Sequence, residues 1–332
     1  MSLSTSASDV ASDVRRWRRL LWRYAAITVT AGLALGAFVL ALDPYDTGRF
    51  SLLPARGVAD FGPRLASASI ARRQDVDAAI FGNSTVQLLD PARLSRLSGH
   101  NFVSLAVPGT GPIEQLALAD WFRRHHRSQP AFVFGIDASW CTTDDPTKLS
   151  HPFPFWLYSA DRFVYAVSMM RYKSFEAVLR RLKLLAGYER MARPDGYRDY
   201  DTDNPWHLPE FREPAPQERP AETPIAAPDD FTAPPLLRQF FASLDPAARV
   251  VIVFPPRYTT AIPPPGSTAA ADLDVCKETY RLLAGARANT QLLDFLFDSP
   301  MARRDENFWD AIHYRGPVAR VIEDRVVDAL KR

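Results

Sequence analysis

The chain has 332 residues, 47% hydrophobic and 23% charged, enough to bury a sizeable core and far from the composition of a disordered protein. Its 40 basic side chains outnumber the 38 acidic ones by two, and five of the arginines crowd into RRWRRLLWR at 15–23. Without that cluster the remainder is slightly acidic, which leaves no nucleic-acid footprint and excludes nucleic acid as the expected partner.

The arginines stand directly before AAITVTAGLALGAFVLAL, residues 25–42, a run without charge. As a helix it spans about 27 Å, close to the thickness of a bilayer core. The positive-inside rule then keeps residues 1–24 cytoplasmic and exports the chain beyond Asp43. Trp17, Trp22 and Tyr45 suit the two interfaces. The expectation is an uncleaved single-pass anchor in the inner membrane with a periplasmic or extracytoplasmic domain. A cleaved signal peptide, with VLA at 39–41 as its small-residue site, is the competing reading. A linker and lead-in is expected over 43–75.

Beyond residue 75, apolar segments ending at small or polar residues alternate with amphipathic stretches, the pattern of an α/β domain. The expected strands are VDAAIFGNS (76–84), NFVSLAVPG (101–109), AFVFGID (131–137), RVVIVFPP (249–256) and QLLDFLF (291–297). LLDPARLSRLS and GPIEQLALADWFRRHH lie between the first three and are long enough for right-handed crossovers, so the strands should pair in parallel. The loops leaving the carboxyl ends form the ligand crevice of such a sheet, which should bring 82–84, 108–111 and 137–141 together.

About 110 residues separate the third strand from the fourth, too many for one loop. An insertion over about 142–245 is expected. It opens with amphipathic helical sequence whose aromatic residues suit core or lid packing more than a groove, and continues into a stretch at 194–235 rich in Pro, Asp and Glu. An exported location permits a disulfide between the only two cysteines, Cys141 and Cys276, but spacing says nothing of their distance. Buried free thiols are the expectation, with pairing left open. His125 and His126 lie in a basic helix end and read as a solvated face; His100, His151 and His207 sit in loop-like segments without a partner at ligand spacing. No metal and no cofactor are expected.

Two features carry chemistry. FGNST presents Ser84 just after a strand, and NFWDAIHYRG places Asp310 three residues before His313 ahead of a final helix. That spacing allows the carboxylate to orient the imidazole. Each feature alone is weak, since a serine after a strand commonly caps the next helix.

Together they resemble the SGNH/GDSL hydrolase family. FGNST matches its first block, with Ser84 as nucleophile; LAVPGTG matches its second, with Gly109 in the oxyanion position; Asp310 and His313 match its last. The combination with an N-terminal anchor is most similar to the membrane-anchored, exported branch that includes the alginate acetylation proteins and the DltD proteins of teichoic acid D-alanylation. The resemblance covers roughly 76–330 without the insertion. It implies a three-layer α/β/α sandwich with a five-stranded parallel sheet, the flavodoxin-like fold of that family. It also implies a Ser-His-Asp triad, with the amides of Ser84 and Gly109 as oxyanion donors. The implied substrate is an acylated envelope or secreted carbohydrate, and a membrane-bound acyltransferase is an implied partner. The implied activity is ester hydrolysis or O-acyl transfer; a catalytically silent scaffold that binds polysaccharide is the alternative. The chain departs from the family at Asn83, where Asp is usual, at Ser104, where Asn is usual, and at Asp137, where the third block supplies an oxyanion-hole Asn. Asn83, Asp137 and Trp140 are therefore expected to line the site. If the Asp137 carboxylate points into the hole, Asp137→Asn should accelerate hydrolysis, because an ionised carboxylate cannot donate to an oxyanion.

Overall fold

The computed structural model describes residues 7–52, 57–126, 130–203 and 225–332. His207 and most of the Pro-rich part of the insertion lie outside the described residues. The first element is one helix, α1 (Ala7–Leu42), long and apolar enough to cross a membrane. The stretch expected as a linker is built into the domain. Asp43 is buried and accepts hydrogen bonds from the Thr47 hydroxyl at 3.0 Å and the Tyr165 hydroxyl at 3.1 Å. Buried Asp46 pairs with Arg72 at 2.8 Å and accepts from Ser69 at 2.8 Å. These carboxylates are charges taken out of water, and each is matched by donors that offset the cost. Helix α2 (Pro63–Ile70) follows.

Five strands form the sheet: β1 (Ala78–Phe81), β2 (Phe102–Ser104), β3 (Ala131–Gly135), β4 (Arg249–Phe254) and β5 (Thr290–Asp294). All neighbours are parallel, and the order is β2-β1-β3-β4-β5. This is a doubly wound order with its switch point between β1 and β3. The expected strands are all present but shorter, because the pairing stops where each chain turns toward the crevice.

Helix α3 (Pro91–Ser98) carries the chain from β1 to β2, and α4 (Pro112–His125) carries it from β2 to β3. Their ends follow from sequence. The Asp90 carboxylate accepts from the Ala92 amide at 2.8 Å ahead of Pro91, and Gly99 ends the helix at φ 83°, a conformation that costs a side-chain-bearing residue more. The insertion contributes α5 (Phe155–Tyr158), α6 (Arg162–Ser168), α7 (Tyr172–Leu185) and α8 (Tyr200–Asp203). Helix α9 (Ala233–Ala242), although within the expected insertion, packs on α4 and is the crossover into β4. Helices α10 (Thr268–Gly285) and α11 (Gly316–Leu330) complete the chain.

Side chains alternate across the sheet as a period of two requires. Ala79, Phe81, Phe132, Phe134, Ile252 and Phe254 face one core, under α2, α4, α9 and α10. Ala78, Ile80, Val133, Val251 and Val253 face the other, under α3 and α11. The architecture is thus α/β, with a five-stranded parallel sheet between helical layers.

Two expectations are corrected by packing. Cys141 and Cys276 are joined in a disulfide, with Cα atoms 5.6 Å apart, rather than buried as free thiols. Folding brings α10 against the turn after β3, a proximity the separation of 135 residues gives no hint of. His126 is not a solvated residue: it is buried, its Nε2 lies 2.7 Å from the Ala71 carbonyl, and burial holds its pKa below the ordinary value.

Candidate active site

Strand β1 ends at Gly82, where φ is +154° and a Cβ would fall 2.4 Å from a Val86 methyl. Glycine therefore lets the chain turn sharply into a single 3₁₀ turn, Ser84–Val86, that lies on the sheet end. Asn83 caps that turn, its Oδ1 accepting from the Thr85 amide at 3.0 Å and the Thr85 hydroxyl at 2.9 Å. Ser84 is left half-buried at the carboxyl end of the sheet.

The segment before α11 arrives at the same place. Asp310 Oδ1 accepts from the amides of Ile312 at 2.8 Å and His313 at 2.7 Å, closing a turn that aims both side chains together. Asp310 Oδ2 lies 2.6 Å from His313 Nδ1, and His313 Nε2 lies 2.7 Å from Ser84 Oγ. Three residues separated by up to 229 positions thus form one hydrogen-bonded line. Burial pushes the Asp310 carboxyl up, but the hydrogen bonds and charge of His313 and the two amides outweigh it, so its pKa lies below the usual value. The carboxylate is therefore ionised at neutral pH and fixes His313 with Nδ1 protonated, leaving Nε2 to accept from Ser84. The His313 and Asp310 side chains are 17% and 20% exposed, enough for a substrate to reach them.

The second turn lies beside the first. The Val107 amide donates to the Gly82 carbonyl at 2.9 Å, and Gly109 follows with φ +64°. Among the described residues neither the Ser84 nor the Gly109 amide donates a hydrogen bond within the protein. Arg64 holds this turn from α2, donating to the carbonyl of Pro108 at 2.7 Å. The Asp137 side chain comes in from β3. It accepts from the Ser139 hydroxyl at 2.6 Å and from the Asn83 side-chain amide. Burial pushes its pKa up, against the hydrogen bonds from Ser139 and Asn83. The three loops expected to converge do so.

No protein-family model and no curated protein matches the chain. What the site can do therefore rests on its own chemistry.

Ser84, His313 and Asp310 are brought together, Gly109 and Asn83 flank them, and Asp137 touches Asn83. Trp140 is different: it is fully buried against Phe134 and Tyr280, its indole N–H donating to Gln115 at 3.0 Å. It belongs to the core and lines no site. A cavity of about 220 Å³ opens beside Asp137, lined by Ala138, Cys141, Phe254, Arg257 and Leu273 among others. Larger cavities of about 370 and 500 Å³ lie along α2 and residues 190–199, and neither has a triad residue in its wall. The chemistry, not cavity size, locates the site.

Sequence reasoning missed three neighbours. A Cβ at Gly109 would lie 3.1 Å from His151 Nδ1. The Tyr200 ring, on α8, stands edge-on 5.5 Å from His313 and its hydroxyl donates to the Tyr314 carbonyl at 2.8 Å. Arg64 is the third. Each touches a residue more than 40 positions away along the chain (Gly109, His313 and Pro108 respectively) from a segment without a motif, so no local signal marks it.

Proposed function

We propose that the protein is a serine-dependent acyl-ester hydrolase or O-acyltransferase of the SGNH type, acting on an envelope or secreted polysaccharide. The observation that carries this reading is the pair of hydrogen bonds that line up Ser84 Oγ, His313 and Asp310, at 2.7 and 2.6 Å. Ser84 Oγ attacks the ester carbonyl while His313 Nε2 takes its proton. The tetrahedral oxyanion is received by the amides of Ser84 and Gly109. His313 returns the proton to the leaving alcohol, and the acyl group on Ser84 then passes to water or to a sugar hydroxyl. Asp310 stays ionised and stabilises the imidazolium.

The place of action is part of the same proposal. Helix α1 anchors the chain in the inner membrane with its arginines cytoplasmic, so the domain is exported, where a Cys141–Cys276 disulfide persists. A membrane-bound acyltransferase is the partner such an arrangement suits.

The test is hydrolysis of p-nitrophenyl acetate, and acetyl transfer to a sugar oligomer, by the full-length protein and by Ser84→Ala. Activity should fall at least about 10³-fold in the variant while the melting temperature holds. Equal activity of the two proteins would leave the fold as a silent polysaccharide-binding scaffold. The ratio of transfer to hydrolysis decides between the two enzyme readings.

A further inference from the structure

Helix α1 is too short to cross a bilayer by its free part alone. From Tyr24, after the last arginine, to Phe38 there are fifteen residues outside the domain, about 22 Å of helix. A hydrocarbon core is about 30 Å thick. The missing ~8 Å corresponds to roughly five residues, and those residues, from Val39 to Asp43, are packed into the domain: Val39, Leu42 and Asp43 are buried. Whatever lies beside that last helical turn must share its depth.

What lies there is the start of the insertion. Helix α7 packs against α1, and a Cβ at Gly36 would meet Met170 Sδ at 3.3 Å. One face of α6 and α7 is turned into the domain through Tyr165, Met169, Ala177 and Val178. The opposite face is also apolar and is exposed: Phe163, Val167 and Met170 at one helical spacing, Phe175, Leu179 and Leu182 at the same spacing again. Phe163 is 76% and Leu179 is 54% exposed. Arg162, Arg171, Lys173 and Lys183 are exposed around this stripe, where only Asp161 and Glu176 are acidic. Leu52, strongly exposed, is held at the same level by its amide on the Ala41 carbonyl at 3.2 Å.

We infer that α6 and α7 are a second, monotopic membrane contact. Their apolar stripe sinks into the leaflet on the domain side of the bilayer that α1 crosses, and the flanking cations meet anionic lipid headgroups. Three observations agree on lipid as the occupant: the helix length that the anchor lacks, the continuity of the stripe with the anchor, and the basic rim around an apolar face. The domain is thereby held at a fixed height and orientation on the membrane rather than swinging on a tether, since the chain enters the core directly at Asp43.

The inference rests on the reading of α1 as a membrane span, and the experiment separates the two. The photoreactive residue p-benzoylphenylalanine is placed singly at Leu33 on α1, at Phe163, at Leu179, and at Leu282, which is 66% exposed on α10. Full-length protein is reconstituted in vesicles of phosphatidylethanolamine and phosphatidylglycerol, irradiated, and analysed by mass for lipid adducts. Adducts are expected at 33, 163 and 179 and not at 282. Adducts at 33 without any at 163 and 179 overturn the second contact while the anchor stands; no adduct at 33 removes the anchor and the inference with it. Adducts at 282 as strong as those at 163 overturn it as well. Irradiation in native membranes that joins 163 and 179 to another protein instead of lipid would show the face to be a protein interface and would also overturn it.

Discussion

At the scale of single residues, the side chain of Asp137 is turned toward Asn83 and Ser139, so the condition under which Asp137→Asn would accelerate hydrolysis is not met. Its carboxylate is fully engaged as an acceptor: Ser139 donates through its amide at 3.2 Å and its hydroxyl at 2.6 Å, and Asn83 donates through its side-chain amide. Asn83 in turn caps the turn that carries Ser84. Replacing Asp137 by Asn sets one amide N–H₂ against another or forces Asn83 to flip, and either loosens the turn that holds Ser84. We expect Asp137→Asn to slow ester hydrolysis about tenfold, at a cost of about 1–3 kcal/mol in stability. A faster variant would mean that the carboxylate faces the oxyanion after all. Asp310 offers a test by pH. Its folded pKa is depressed, so the stability it contributes is present above the ordinary carboxylate value and is lost as pH falls through and below it. The melting temperature of the wild type should exceed that of Asp310→Asn at pH 7, and the gap should close below about pH 4; a gap that widens on acidification would contradict this. The same variant should lose about 10²- to 10⁴-fold in rate at neutral pH.

At the scale of elements, the short 3₁₀ turn after β3 (Ala138–Cys141) links the site to α10. Asp137 begins it, the Cys141–Cys276 disulfide ends it, and the Tyr280 hydroxyl donates to the Trp140 carbonyl at 3.0 Å. The bridge closes a long loop across 135 positions, for which chain entropy assigns about 5 kcal/mol. Reduction should therefore lower the melting temperature by about 5 °C or more. It should also lower activity, because the turn that positions Asn83 loses its far attachment. Calorimetry and p-nitrophenyl acetate turnover, with and without a phosphine reductant, check both; unchanged turnover in the reduced protein would detach the turn from function. On the other side, α8 braces the histidine loop: Asp201 accepts the Gly316 amide at 2.9 Å and pairs with Arg315 at 3.0 Å.

At the scale of the whole molecule, the arginines lie in the first half of α1 and the chain enters the domain directly at Asp43, so the orientation of the domain is tied to that of the helix. An alkaline phosphatase fused after Arg332, beyond the end of α11, should be active, as that enzyme is only in an oxidising compartment, and a fluorescent cytoplasmic reporter there should be dark. The opposite pattern would invert the topology.

The α/β class, the five strands and the apolar N-terminal helix were legible in sequence because each depends on local patterning, whereas Ser84, Asp310 and His313 were singled out only by their joint resemblance to the blocks of a known family. Apolar runs that end at small or polar residues, amphipathic stretches between them and an uncharged run after a basic cluster are set by neighbours along the chain. Tertiary structure alone decided the rest. Whether Cys141 meets Cys276, whether Trp140 faces core or cleft, whether Asp137 points at the oxyanion or at Asn83, and that Tyr200, His151 and Arg64 border the site are all contacts between distant segments. Their closeness is fixed by how the helical layers pack on the sheet. That packing is a property of summed surface burial, which no short stretch of sequence carries.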